Sequence, residues 1–237
     1  MIDIILPVYN NLEITKNFIV SLKRQEIEYN LIIIDNGSDK KCNEFLQSLE
    51  NTIIIRNSKN EGYIKAVNQG FEKIKSEIVI IMNNDIILPK KLLKSILKKN
   101  ISGICSVYSN NINPKKSNEI LIEFPYEKPS LENIDRFHNK LQKENYNLKK
   151  EVDFVYGHFM ILKKEVIEKI GKLDEIYGEG NYEDIDYCYR ARGNNFKVEL
   201  LMDCFVYHHC HSTFKNVGID IDKLIRINQN KFLEKWR

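Results

Sequence analysis

The sequence predicts an α/β protein built on a parallel sheet, and three observations carry that prediction. Short β-branched apolar runs recur through the N-terminal half. Between them lie longer segments whose apolar residues fall at helical spacing. The apolar runs end in Asn, Asp, Gly or Pro. Strand-helix alternation of this kind gives parallel strands with helices on the sheet faces.

Taken in order, Ile2 to Leu6 is a strand ending in Pro7-Val8-Tyr9-Asn10-Asn11, and Leu12 to Gln25 is a helix striped by Leu12, Ile14, Phe18, Ile19 and Leu22. Leu31 to Ile34 is a second strand, ending in Asp35-Asn36-Gly37-Ser38-Asp39, before a polar helix with Phe45, Leu46 and Leu49 on one face. Thr52 to Ile55 is the third strand. Asn60-Glu61-Gly62 opens a helix through Ala66, Val67, Gly70, Phe71 and Ile74. The run Ile78 to Met82 is the central strand, apolar throughout and so buried on both faces. It breaks into Asn83-Asn84-Asp85 before Ile86-Ile87-Leu88.

Pro89 to Lys99 reads as a helix with proline in its first turn and a solvated lysine face. From Ser109 to Lys150 the pattern is irregular, with one polar helix at Leu131 to Glu144, and reads as an insertion over one sheet face. Val152 to Leu162 has strand character around Gly157-His158, and Glu165 to Ile170 is a short helix ending at Gly171. Gly178 to Asp186 is an acidic loop turning helical. Phe196 to Met202 and Phe205 to Tyr207 read as two strands ending in His208-His209-Cys210-His211, and Ile219 to Arg237 as an amphipathic helix.

Composition excludes several classes. At 237 residues, 43% hydrophobic and 29% charged, the chain is an ordinary globular protein, and a net charge of +3 gives no case for nucleic acid as its main partner. No stretch approaches a membrane span, and the basic region and cleavage site of a signal peptide are lacking. Five cysteines without a Cys-x-x-Cys pair predict reduced thiols and a cytoplasmic location. No Gly-x-Gly-x-x-Gly fingerprint supports a dinucleotide fold.

The chemistry-bearing residues sit at strand ends, which converge on one edge of a parallel sheet. Asp35 can accept a hydrogen bond from a nucleobase, and backbone groups near Pro7 can engage one too. Asp85 offers a hard oxygen ligand for a divalent cation beside phosphates. A second ligand must come from far along the chain; His208 is the candidate, with His209 and His211 as competitors. A zinc site from Cys204, Cys210 and these histidines is a weaker alternative, lacking the usual spacing. Glu183-Asp184 at a helix start places carboxylates near a positive helix end, which predicts an ionised general base; the plainer alternative is helix capping.

Read together and in order, Pro7-Val8-Tyr9-Asn10, Asp35-Asn36-Gly37-Ser38-Asp39, Asn60-Glu61-Gly62 with Asn68 and Gly70, Asn83-Asn84-Asp85, Glu183-Asp184-x-Asp186 with Arg190, and a late histidine resemble family 2 glycosyltransferases. The resemblance implies a GT-A fold: a Rossmann-like nucleotide-binding sheet flanked by helices, with a smaller acceptor-side region. It implies one domain over residues 1–237, with a nucleotide-sugar half at 1–108 and an acceptor half at 109–237. Pro7, Tyr9 and Asp35 would contact the base and ribose, within a donor site that also includes Val8, Asn10, Asn36, Gly37, Asn60, Gly62, Asn68, Asn83 and Asn84.

Asp85 matches the last Asp of the family's DXD motif and, with His208, would hold manganese or magnesium. Asn83 replaces that motif's first Asp, leaving less charge on the cation. Asp184 matches the general base, with Glu183 positioning the acceptor. The implied partners are a nucleotide-diphosphate sugar and a glycan or lipid-linked acceptor, in surface polysaccharide, capsule or glycoconjugate synthesis. Two rivals stand beside this: a non-catalytic nucleotide-sugar or glycan-binding module, and a nucleotidyltransferase, which would show a Gly-rich basic loop that Pro7 to Asn11 lacks. The basic C-terminal helix, with Lys223, Arg226, Lys231, Lys235, Arg237 and Trp236, is expected to pack its apolar face on the sheet, with peripheral contact with a lipid-linked acceptor at the inner membrane face as the alternative.

Overall fold

The computed structural model describes residues 1–110, 120–209 and 220–237. Its first part is the expected alternation: β1 (Ile2–Val8), α1 (Leu12–Leu22), β2 (Tyr29–Asp35), α2 (Lys40–Gln47), β3 (Thr52–Arg56), α3 (Tyr63–Phe71) and β4 (Ile78–Met82). β1 lies in parallel between β2 and β4, with Ile4 opposite both Leu31 and Ile80, and β3 adds to the outside of β2. Helical crossovers between parallel strands produce this order.

Alternation along each strand divides the core in two. Ile4, Leu6, Leu31, Ile33, Ile80 and Met82 face α1, packing on Phe18 and Leu22. Ile5, Ile32, Ile34, Val79 and Ile81 face α3, packing on Ile64, Val67 and Phe71. Each such side chain, fully buried, contributes roughly 1.5–3 kcal/mol. α3 lies so close to β1 that a Cβ on Gly70 would sit 2.5 Å from Cγ2 of Ile5.

The remainder comprises β5 (Ile86–Ile87), α4 (Leu92–Leu97), β6 (Ile104–Asn110), β7 (Leu121–Ile122), α5 (Leu131–Glu144), β8 (Lys149–Glu151), β9 (Phe159–Lys163), α6 (Lys164–Ile170), a 3-10 turn (Glu175–Tyr177), α7 (Glu183–Gly193), β10 (Val198–His208) and α8 (Ile221–Lys235). The sheet runs β3-β2-β1-β4-β9-β6-β10-β5, with β7 beside β6 and β8 beside β10. β9 enters antiparallel to both β4 and β6 and joins the two parts of the chain in one sheet.

Three expectations need correction. Strand structure begins at Phe159, so Gly157-His158 occupies the turn before β9. The helix expected from Pro89 starts at Leu92, because Lys91 takes a left-handed conformation (φ 65°) that cannot continue it. The two late strands are one, β10, whose pairing with β6 shifts register between Leu201 and Phe205. That bulge turns Asp203 onto Lys99, a pair 2.6 Å apart and almost wholly buried.

α8 docks by Phe232 and Asn228 against the 3-10 turn and α7, while Leu233 stays half exposed. Lys231 donates to the carbonyl of Ile176 at 2.6 Å, and Lys235 reaches Asp174 at 2.7 Å and Asp186 at 2.8 Å. Trp236 donates its indole N–H to Asp186 at 2.9 Å. Three of the groups read as facing a membrane are thus engaged within the chain.

Candidate active site

The strand ends build two adjoining clusters. At the ends of β1, β2 and β3, Asn10 takes φ 56°, which lets its N–H donate to Oγ of Ser38 at 2.9 Å while its Oδ1 accepts from the N–H of Asp39 at 2.7 Å. Asp35, fully buried, accepts the Ser38 N–H on Oδ1 at 2.9 Å and the Arg56 guanidinium on Oδ2. Arg56 was invisible to sequence reasoning, since only the pairing of β2 with β3 sets it opposite Asp35. Gly37 at φ 79° crosses the loop after β3 so tightly that a Cβ would lie 2.6 Å from the backbone of Lys59. No other residue fits there.

Several residues assigned to the donor site use their side chains within the chain. Asn36 donates to Oδ1 of Asn60 at 2.7 Å and accepts from Asn57 and from the Glu61 N–H, and Asn60 in turn accepts from the Gly62 N–H. The Val8 side chain is in the core. Asn84 donates to Thr15 at 2.9 Å. Asn68 is bonded in both directions to the backbone of Leu173, at 3.0 and 2.9 Å, and pins the segment before the 3-10 turn. Pro7 and Tyr9 are partly exposed at the end of β1.

The second cluster forms where β4 ends. The antiparallel pairing of β5 with β10 sets His208 opposite Ile86, next to Asp85, and the His209 N–H donates to the Asp85 carbonyl at 2.9 Å. Nε2 of His208 then lies 3.1 Å from Oδ1 of Asp85. Residues far apart in sequence are thereby brought together as expected. His211 and Cys210 lie outside the described residues, and among the described residues no group of three His, Cys, Asp or Glu converges as a metal cage. The zinc reading has no support there; Cys204 is buried, which raises its thiol pKa far above the ordinary range.

An aspartate oxygen and an imidazole nitrogen suit a divalent cation. Two neighbouring ligands on one octahedral ion, with bonds of about 2.1 Å, stand about 3 Å apart, and this pair fits that spacing. His158 was missed as a site residue. Its ring stacks on His208 with centroids 4.4 Å apart and planes 9° off parallel. Burial, and then the adjacent His208, hold it neutral, with a pKa well below the usual histidine value.

A strap of two residues joins this pair to the acids. The Asn83 N–H donates to the His158 carbonyl at 3.0 Å, and the Gly157 N–H donates to Oδ2 of Asp184 at 2.9 Å. Tyr63, also missed, leads α3 and donates its hydroxyl to the Gly157 carbonyl at 2.9 Å. Burial first, then the charges of Glu183, Asp184 and Asp85, push its phenol well above the ordinary pKa.

At the start of α7, burial opposes the helix end and raises both carboxylates. Burial, with the Asp184 charge second, pushes Glu183 well above its usual range. Asp184 is raised by burial too, against the Gly157 and Ile185 N–H groups that favour its charged form. The two N–H groups stand 2.9 and 2.8 Å from the Asp184 oxygens. Oε2 of Glu183 has no hydrogen-bond partner among the described residues.

A parallel sheet flanked by helices and extended by an antiparallel strand is a GT-A fold. The family model for glycosyl transferase family 2 matches residues 3–171, and the chain belongs to that family. A curated relative, the low-salt glycan biosynthesis hexosyltransferase Agl10 of Haloferax volcanii, is 26% identical over 171 residues, which cover 70% of this chain and 54% of the relative. The undecaprenyl-phosphate 4-deoxy-4-formamido-L-arabinose transferase of Photorhabdus laumondii is 26% identical over 125 residues, 49% of this chain and 38% of the relative. Among solved structures, mannosyltransferase PcManGT from Pyrobaculum calidifontis, in complex with GDP-Man and Mn2+, superposes with TM-score 0.63 at 13% identity, covering 90% of this chain and 57% of that one. The chain spans about half the length of the curated relatives, and α7, with Glu183 and Asp184, lies beyond the residues that the family model matches.

Proposed function

We propose that the chain is an inverting glycosyltransferase that moves a hexose or deoxyhexose from a nucleotide-diphosphate sugar to a hydroxyl of a glycan or lipid-linked acceptor. The carrying observation is the Gly157–His158 strap, which ties the Asp85–His208 pair to Asp184 within one edge of the sheet. The relatives named as hexosyl and lipid-phosphate sugar transferases support the class of donor and acceptor, and the neighbour with GDP-Man and Mn2+ supports a nucleotide and a divalent cation.

In this reading the β1–β3 loops around Asp35 and Arg56 receive the nucleotide, and Asp85 and His208 hold manganese or magnesium. When bound, the cation supplies Lewis-acid stabilisation of the departing diphosphate. Asp184, oriented by Gly157, takes the proton from the acceptor hydroxyl as its oxygen attacks the anomeric carbon. The carbon–oxygen bond to the diphosphate breaks as the new one forms, so configuration inverts and no protein nucleophile is required. Glu183 orients the acceptor. No helix among the described residues is long and apolar enough to cross a membrane. The proposed setting is cytoplasmic, at the inner membrane face, in surface-glycan synthesis.

The test is thermal stabilisation by a panel of nucleoside diphosphates with and without manganese. A ligand at a hundredfold excess over Kd stabilises by about 2.7 kcal/mol. A manganese-dependent rise in Tm with one or two nucleotides, absent in Asp85→Ala, is the expected result. No rise with any nucleotide would sink the proposal.

A further inference from the structure

The turn that delivers Glu183 and Asp184 is held by a side chain from the opposite end of the second half. Backbone φ is positive at Gly178 (62°), Gly180 (121°), Asn181 (69°) and Tyr182 (76°). Two of these residues are not glycine, and a bulky residue such as Tyr182 keeps a positive φ only when its surroundings impose it. Asn228 on α8, fully buried, imposes it. Its amide donates to the carbonyls of Tyr177, Gly180 and Asn181 at 2.7, 2.8 and 3.1 Å, one of its two hydrogens being shared. Phe232, one helical turn on, packs against the Tyr182 ring with centroids 5.6 Å apart. On the other side of the turn, a Cβ on Gly180 would lie 3.7 Å from Oε2 of Glu183.

We propose that Asn228 is a positioning residue for the Glu183–Asp184 pair, fixing the strained turn that presents both carboxylates, so that α8 belongs to the catalytic apparatus. The proposal rests on the reading of Asp184 as general base. It differs from mere docking of α8 in one respect: the hydrogen bonds go to carbonyls of the turn itself, and relieving the strain in the turn must substitute for them in part.

The test uses the full chain and three readouts: hydrogen exchange of the amides in residues 177–182, nucleoside diphosphate release from the donor sugar, and manganese-dependent binding of the nucleoside diphosphate. In Asn228→Ala the turn amides exchange faster and kcat falls by about tenfold to a hundredfold, the effect of misplacing a reacting group, while nucleotide binding stays unchanged. Adding Asn181→Gly, which takes a positive φ without the steric cost, recovers part of kcat. If Asn228→Ala fails to fold, Asn228→Ser, which retains one donor, serves for the same readouts. A folded variant with protected turn amides and unchanged kcat overturns the proposal, as does a loss that Asn181→Gly leaves untouched. A wild type that turns over no donor, or an Asp184→Asn variant that keeps turnover, instead removes the functional reading beneath it.

Discussion

Glu183 and Asp184 carry the same functional group one bond apart in the chain, and their surroundings separate them. Asp184 accepts two backbone N–H groups, whereas Glu183 lies buried beside the Asp184 charge. This has a consequence for stability. Native Glu183 keeps its proton at pH values where the unfolded chain has lost it, so stability is fully present below the ordinary glutamate pKa and declines as pH rises toward the raised native value. Glu183→Gln abolishes that titration. The gap in Tm between Glu183→Gln and wild type should therefore widen in favour of the variant between about pH 5 and pH 8; a gap constant across that range contradicts the assignment. Sequence placed Asp85 and His208 at strand ends because each lies beside an apolar run, whereas Glu183-Asp184 was marked only by its acidic loop and the family resemblance. It did not disclose Arg56, Tyr63, His158 or Asn228. Nothing local marks these four, whose roles come from the strand pairing, helix packing and chain return that bring their partners to them.

At the scale of elements, β1 to β4 were readable because each is an unbroken apolar run flanked by turn residues. β6 was not, since Ser106 and Ser109 interrupt its pattern while their hydroxyls lie buried in the sheet. β10 reads as two strands because the bulge at Met202-Asp203 places a charge inside a strand, where Lys99 and the Asn147 N–H make it tolerable. The fit of α3 on β1 gives a direct test. Gly70→Ala forces a methyl into the space held by Ile5, and should lower stability by about 1–3 kcal/mol in urea denaturation. An unchanged midpoint would show that α3 and β1 are less closely packed than described.

For the whole molecule, the decisive feature is the entry of β9 antiparallel between β4 and β6. It closes the sheet across both parts of the chain and puts the strap beside Asn83. Apolar patterning marks where strands are, but not their order or direction, so this feature was not legible in the sequence. A continuous sheet, with α8 docked on the 3-10 turn and α7, should unfold cooperatively. Trp236, the single tryptophan, sits on α8 and reports on that helix, whereas far-UV circular dichroism reports on the whole. The two transitions should coincide on heating; an earlier tryptophan transition would show that α8 detaches first and would weaken its place in the site.

The measurement that bears most directly on the central claim is nucleoside diphosphate release from a panel of nucleotide sugars, with manganese, by wild type and Asp184→Asn. The wild type should turn over one donor, and Asp184→Asn should lose about 10²–10⁴-fold in kcat with donor binding intact, as removal of a general base requires. Equal turnover by the two proteins would contradict that claim.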